Sequence, residues 1–190
     1  MNETELIKGC LKNNKESQKA LYELFYAKML GVCLRYAKNE AEAKEMVNEG
    51  FLHVFTELKN YKTNESLEEN IKDTIIIASI NYLKKNKENL IVSTVYANRT
   101  AGTTSPATIV EIPFEEIESK ANSEIILKAV QDLAPAYRKI YNLNVIEGFK
   151  HAEIAEILNI SEETSVQTLD KAKFQLNKNI KQLITEAHAK

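Results

Sequence analysis

Polar side chains near the carboxyl end of the chain combine two kinds of chemistry that suit contact with DNA. Gln167 can pair with adenine, and lysines such as Lys171 can hold a phosphate as point charges. Together with neighbouring hydroxyl residues they form one candidate set of DNA-binding residues. Its members are Thr164, Ser165, Gln167, Thr168, Lys171 and Lys173.

Two helices joined by a tight turn are expected to position this set. The first, His151–Leu158, carries an apolar stripe, and Asn159 suits the left-handed conformation of a turn. Ser161 can cap a second helix, whose first turn is acidic. This order is typical of a helix-turn-helix, whose second helix lies in the major groove. An ordinary helical hairpin is the alternative.

The composition indicates a globular protein without the charge of a typical DNA-binding domain. The 190 residues are 44% hydrophobic and 27% charged, with a net charge of −2 and a pI of about 6.0. Cys10 and Cys33 are too few for a disulfide scaffold, which favours a reducing compartment. The amino terminus lacks an apolar signal core, and the strongest apolar run, Ile75–Ala78, is too short to span a bilayer. We therefore expect a cytoplasmic protein.

The sequence offers no constellation for catalysis or for metal binding. The three histidines, His53, His151 and His188, fall on separate predicted helices without partners at ligand spacing. No phosphate-binding glycine loop, Ser/His/Asp arrangement or paired-carboxylate motif stands out. We expect neither an enzyme nor a cofactor.

Hydrophobic periodicity predicts helices in both halves of the chain. In residues 1–87 they cover Thr4–Lys12, Ser17–Ala37, a helix capped by Asn39 and Leu67–Lys85, with a polar connection at Tyr61–Ser66. In residues 123–190 Ser123 caps a helix ending near Leu133, Pro135 opens Ala136–Ile146, Gly148 closes it, and the hairpin follows to about His188. Residues 88–122, rich in Ser, Thr and acids, suit a linker. We predict an all-α fold of two small helical domains, 1–87 and 123–190, joined by a flexible linker.

Two segments in this order resemble the extracytoplasmic-function (ECF) branch of bacterial RNA polymerase sigma factors, in the style of Bacteroidetes. The first segment includes Glu5–Lys12, Lys28–Ala37 and Glu49–Phe55. The second includes Leu133–Arg138, Val145–Leu158 and Ile160–Ser165. The resemblance implies a first domain that binds core RNA polymerase and melts the minus-ten element of promoter DNA. It implies a last domain whose helix-turn-helix reads the minus-thirty-five element, and an anti-sigma factor as a further partner.

The resemblance also assigns candidate residues in the first domain. The polymerase-binding set is Glu42, Glu45, Asn48 and Glu49. The set for DNA near the melted strand is Lys72, Lys84, Lys85 and Lys87. A solvated face is the alternative for both sets.

The sequence departs from the family where DNA should be contacted. Asn70 stands at the usual Trp, and Ile77 at the usual Asn, so stacking groups for flipped bases are missing. In the second helix of the hairpin Val166 replaces a cation, Asp170 adds an anion, and lysines replace the arginines. From Gly148 to Lys190 six lysines balance six acids. A degenerate sigma-like protein that binds polymerase or a regulator without promoter recognition, and a purely protein-binding helical module, are therefore alternatives.

Overall fold

The fold is known from a computed structural model, which describes residues 3–61, 66–86 and 123–188. Within these ranges the chain is helical apart from short turns, and no strand occurs. The predicted all-α class is therefore confirmed. The chain divides into two compact units after Asn86. The predicted linker, Lys87 and the centre of the polar connection lie outside the described residues.

Residues 3–61 and 66–86 of the first unit contain four α-helices, and polar side chains cap the amino ends of the last three. They are α1 (Glu3–Leu11), α2 (Lys15–Tyr36), α3 (Glu40–Glu57, continued by the 3-10 turn Leu58–Asn60) and α4 (Leu67–Lys85). The Asn39 side chain accepts a hydrogen bond of 2.9 Å from the backbone N–H of Glu42, as its predicted capping role requires. Ser66 and Glu69 form a reciprocal capping box on α4. The predicted bounds of α4 are confirmed.

The core of this unit is formed where α3 crosses α4 and both pack on α2. Its largest fully buried side chains are Leu21, Met29, Tyr36, Met46, Phe51, Ile71, Ile75, Ile76, Ile80 and Leu83. Gly50 allows the close crossing of α3 and α4, because a Cβ there would lie 2.4 Å from the Cδ1 atom of Ile75. The apolar run Ile75–Ala78 is thus mostly core, with only Ile77 substantially exposed.

The described part of the second unit, residues 123–188, also contains four α-helices. They are α5 (Ser123–Gln131), α6 (Pro135–Tyr141), α7 (His151–Leu158) and α8 (Glu162–His188). Ser123 is the first helical residue and not the cap that we predicted. Pro135 opens α6 as expected, because its missing N–H has no helical acceptor there.

The prediction of one regular helix up to Ile146 is wrong. The chain leaves α geometry after Tyr141 and forms a π turn at Asn142–Ile146, in which the N–H of Glu147 bonds the carbonyl of Asn142 at 2.9 Å. Gly148 then reverses the chain with a φ of +81°, which confirms its role in closing this segment. Residues 147–150 then lead to α7, with which the hairpin begins.

Helix α8 is the centre of the second unit, since α5, α6 and α7 all pack against it. Its buried stripe consists of Ser165, Thr168, Leu169, Ala172, Leu176 and Ile180. Further along, the side-chain amide of Asn179 donates a hydrogen bond of 3.1 Å to the carbonyl of Ala129 on α5. One face of α8 is therefore fixed by packing, and the opposite face is left to solvent.

Candidate nucleic-acid interface

The turn between α7 and α8 has the geometry that the sequence predicts. Asn159 adopts φ 55° and ψ 54°, which is the left-handed conformation. The N–H of Ile160 bonds the carbonyl of Ala155 at 3.0 Å and so closes the end of α7. The Ser161 hydroxyl accepts a hydrogen bond of 3.0 Å from the N–H of Thr164, which confirms Ser161 as the cap of α8.

Two of the six residues on α8 that we predicted to contact DNA lie on its buried side. Ser165 has no exposed surface and Thr168 only 3%, because both lie on the stripe that packs on the other helices of the unit. The Ser165 hydroxyl is 2.8 Å from Nδ1 of His151 and so joins α8 to α7. Their assignment to DNA is corrected, since side chains buried at a helix crossing cannot reach a base edge.

Between Glu163 and Asp170 the exposed side chains of α8 are Glu163, Val166, Gln167 and Asp170. Val166 is 41% exposed, which is high for an apolar side chain on a helix with a packed face. The amide of Gln167 donates a hydrogen bond of 3.0 Å to the carboxylate of Glu163, one turn earlier. Thr164 is half-buried beside these side chains. The side chains that α8 exposes before Lys171 are therefore acidic, amide-bearing and apolar.

Cations enter α8 only from Lys171 onward. Lys171 is half-buried, whereas Lys173, Lys178 and Lys181 are exposed. At about 100° per residue, Lys171, Lys178 and Lys181 fall within about 80° of one another around the helix. Lys173 lies about 160° away from Lys171. Three of the four lysines therefore share one side of the helix, which suits contact with one phosphate backbone.

In the first unit, a residue of the predicted DNA-binding set contacts a residue of the predicted polymerase-binding set. On α4, Lys72 and Lys84 are half-buried, and the Lys85 ammonium lies 2.5 Å from the carboxylate of Glu49 on α3. A predicted DNA contact is thus paired with a predicted polymerase contact. Asn70, at the position of the family's Trp, is 7% exposed and donates to the carbonyl of Ser66 at 3.0 Å. It offers no surface on which a base could stack.

The other members of the predicted polymerase-binding set are also hydrogen-bonded within the unit. The Glu42 carboxylate accepts from the backbone N–H of Lys38 at 2.6 Å. The Glu45 carboxylate accepts from the hydroxyl of Tyr82, and this bond is the main cause that raises the pKa of Tyr82 to about 12.

Asn48 on α3 is also hydrogen-bonded, because its side-chain oxygen accepts a hydrogen bond of 2.8 Å from the hydroxyl of Tyr22 on α2. The set therefore ties α3 to its neighbours while remaining at the surface.

An open cleft beside this set was not predicted from the sequence. It measures about 780 Å³ and is lined by Tyr22, Asn48, Glu49, Phe51, Leu52, His53, Phe55 and Thr56. Leu52 is 69% exposed on its wall, and the rings of Tyr22 and Phe51 lie 4.8 Å apart between centroids. The signal was present, because Leu52 follows the buried Phe51 and cannot share its face of the helix. The cleft joins polar groups of α3 to an exposed apolar surface.

Comparison with known families identifies the segment that contains the hairpin. Residues 123–175 match the family described as sigma-70, region 4. The segment is thus similar to region 4 of sigma-70 proteins. It begins with α5 and ends within α8, so it covers the turn and the exposed face described above. The helix-turn-helix prediction is thereby supported by an independent match.

The similarity extends along nearly the whole chain. The chain is 23% identical over 180 residues to the ECF RNA polymerase sigma factor SigW of Bacillus subtilis (strain 168), covering 93% of this chain and 96% of that protein. Together with the region 4 match, this supports the resemblance to ECF sigma factors. Proteins of this kind are transcription factors without catalytic activity of their own.

A solved structure shares the fold. It is the sigma factor RpoE in complex with the anti-sigma factor NepR from Bartonella quintana, with a TM-score of 0.52 and 14% identity. The similarity covers 86% of this chain and 96% of that one. At this identity the likeness concerns the arrangement of helices alone.

Residues 3–61, 66–86 and 123–188 contain no helix long and apolar enough to cross a membrane. The same ranges contain no cluster of three His, Cys, Asp or Glu side chains that could hold a metal ion.

Proposed function

We propose that this chain is an ECF-type sigma factor that binds core RNA polymerase and directs it to promoters at the start of transcription. The observation that carries the proposal is the coincidence of the region 4 match with a helix-turn-helix whose second helix exposes one polar face. The polymerase would perform the chemistry, and this chain would supply recognition. Its place of action would be the cytoplasm, where polymerase and promoter DNA meet.

Each unit has its own part in this proposal. Residues 1–87 would bind the polymerase and the minus-ten element, and residues 123–190 would read the minus-thirty-five element, with residues 88–122 as the linker. An anti-sigma factor would be a further partner, as in the solved complex from Bartonella quintana. The proposal includes a resemblance to the ECF sigma factors of Bacteroidetes, which rests on the sequence motifs alone.

The cleft on α3 is the surface that we assign to the polymerase. It combines exposed Leu52 with the rings of Tyr22 and Phe55, and Asn48 and Glu49 supply polar groups at the same place. An apolar centre with a polar rim is the usual composition of a protein interface. Glu42 and Glu45 extend the acidic rim along α3.

A charge placed in the cleft tests this assignment. Leu52→Glu should abolish co-purification of core polymerase with the full chain, because a carboxylate would be buried in an apolar contact. Leu24→Glu is the matched control, since Leu24 is 61% exposed on α2 and does not line the cleft. Equal loss of binding in both variants would remove the cleft from the proposal.

The decisive experiment is transcription in vitro with a holoenzyme reconstituted from core polymerase and the full chain, across a library of promoters. Selective initiation at a subset of promoters is the expected result. Polymerase binding without any promoter selectivity would favour the alternative of a degenerate sigma-like protein. The acids on α8 and the ion pair between Lys85 and Glu49 are the observations that favour this alternative. Absence of polymerase binding would exclude both sigma-type functions and favour the protein-binding module.

A further inference from the structure

The hydrogen bond between Gln167 and Glu163 restricts how α8 can read DNA. A carboxylate only accepts hydrogen bonds, so the Gln167 side chain must turn its NH₂ group toward Glu163. One N–H of that group remains available, and the Gln167 carbonyl oxygen stays free to accept. One donor and one acceptor side by side are the pattern that matches N7 and N6–H₂ of adenine in the major groove.

Val166 adds a second feature to the same face. It is 41% exposed, and its neighbour Gln167 is exposed beside it. Apolar side chains in the major groove contact the C5-methyl group of thymine, which no other base of DNA carries. An A·T pair presents both the adenine edge that suits Gln167 and the methyl group that suits Val166.

The width of α8 and the placement of three of its lysines are consistent with insertion in this orientation. A helix with its side chains measures about 10–12 Å across, and the major groove is about 12 Å wide. Lys171, Lys178 and Lys181 lie together on one side of the helix, from which they can contact a phosphate backbone. No arginine occurs in α8, so the bidentate pairing of arginine with guanine is absent from this helix.

We propose that α8 selects A·T pairs, with Gln167 contacting adenine, Val166 contacting a thymine methyl group on the same or the next base pair, and Glu163 acting as the positioning residue for Gln167. This inference deepens the proposed function and rests on it, since it concerns the base preference of the same helix. It makes specificity depend on an amide oriented by an acid rather than on a cation.

The test uses the full chain in a binding selection from random duplex DNA at low ionic strength. We expect enrichment of a site with A·T pairs, and loss of preference at one adenine by about 5- to 150-fold in Gln167→Ala. On the wild-type chain, 7-deazaadenine at that position should weaken binding, because it lacks the N7 acceptor. Binding by Gln167→Ala should not respond to 7-deazaadenine. A guanine preference, no enriched sequence, or a preference unchanged in Gln167→Ala would overturn the inference.

A second arm tests Val166 by removing the methyl group from the DNA. Replacing the contacted thymine by uracil should weaken the wild-type complex about fourfold, the effect of one buried methyl group. Val166→Ala should bind the thymine and uracil duplexes equally. Equal sensitivity to uracil in both proteins would exclude Val166 as the contact. Because the base analogues leave the wild-type chain unaltered, this arm does not depend on how a variant folds.

The positioning role of Glu163 has its own signature. Glu163→Ala removes an anion near the phosphates, so total affinity should rise, but the preference for adenine should fall. Glu162→Ala, at the neighbouring exposed acid, should raise affinity equally for all sequences and leave the preference unchanged. The same uniform rise in Glu163→Ala would show a purely electrostatic role. Failure of the proposed function would be seen separately, as absence of polymerase binding or promoter-selective initiation.

Discussion

Lys85 on α4 and Glu49 on α3 form an ion pair in which the ammonium and carboxylate atoms are 2.5 Å apart. The pair joins a residue assigned to DNA with a residue assigned to the polymerase. The Lys85 side chain is 67% exposed and that of Glu49 is 26% exposed, so the pair lies at the surface. A polymerase surface that binds Glu49 would therefore compete with Lys85, and the cation would become available to DNA.

Glu49→Gln should imitate this release. We expect the full chain to bind single-stranded DNA more tightly, with a salt dependence steeper by about 0.7, the slope for one additional phosphate contact. The free energy of unfolding should fall by less than about 1 kcal/mol, because the pair is solvent-exposed. Fluorescence anisotropy across a salt series measures the first effect and urea unfolding the second.

A matched control exists on the same helix. Glu40 pairs with Lys44 at 2.7 Å, and neither residue belongs to a predicted DNA contact. Glu40→Gln makes the same change in net charge as Glu49→Gln, so it should raise affinity only through that change and leave the salt slope unaltered. An equal increase of slope in both variants would contradict a specific role for Lys85.

The contact between Tyr82 and Glu45 predicts a pH dependence of stability. The carboxylate of Glu45 raises the pKa of Tyr82 from 10.0 to about 12, because the neutral phenol donates the hydrogen bond. The resulting stabilisation is fully present below pH 10 and is lost as the pH rises through 12. As the pH rises from 10 to 12, the free energy of unfolding should fall less in Tyr82→Phe than in the wild type. Burial also raises the pKa of Tyr61 to about 12, so phenolate absorbance should show one late-titrating tyrosine fewer in Glu45→Gln while Tyr61 still titrates late. An unchanged titration in Glu45→Gln would refute the assignment.

Gly50 and Gly31 provide opposite predictions for the same substitution. A Cβ at Gly50 meets Ile75 at 2.4 Å, whereas nothing lies within 4 Å at Gly31. Gly50→Ala gains helix propensity of up to about 1 kcal/mol but overpacks the core by about 1–3 kcal/mol, so we expect net destabilisation. Gly31→Ala should stabilise the unit by about 0.5–1 kcal/mol. Thermal unfolding compares the two, and stabilisation by both would show that α3 and α4 can separate at little cost.

The left-handed Asn159 predicts how the hairpin responds to substitution. Asn159→Val should destabilise the second unit by about 1–2 kcal/mol, because a β-branched side chain is strained at a φ of 55°. Asn159→Gly should leave stability nearly unchanged or improve it. Circular dichroism during urea unfolding of the full chain reports both. Equal stability of the three proteins would mean that the turn is not held in this conformation.

The sequence predicted the helices well because their signals are local. Asn39, Ser161 and Gly148 each act on backbone groups within a few residues, so their caps could be inferred without the fold. The π turn at Asn142–Ile146 was not predicted, because no local sequence signal marks it. Its hydrogen bonds replace those of an α-helix without any distinctive residue in the sequence.

The side-chain contacts between helices could not be predicted. Lys85 and Glu49 are 36 residues apart, and their contact depends on the crossing that Gly50 permits. Ser165 and Thr168 were chosen as polar residues of a presumed reading helix. Small hydroxyl residues also fit a tight helix crossing, and periodicity alone did not distinguish the two uses.

The division of α8 into a packed stripe and a solvent face gives this chain room to evolve. Glu163, Val166, Gln167 and Asp170 can change without disturbing the crossing that Ser165, Thr168 and Leu169 maintain. Exposed substitutions of this kind usually alter stability by less than about 0.5 kcal/mol. A lineage, or a protein engineer, could therefore redirect the helix to new sequences in single steps, with the scaffold left intact.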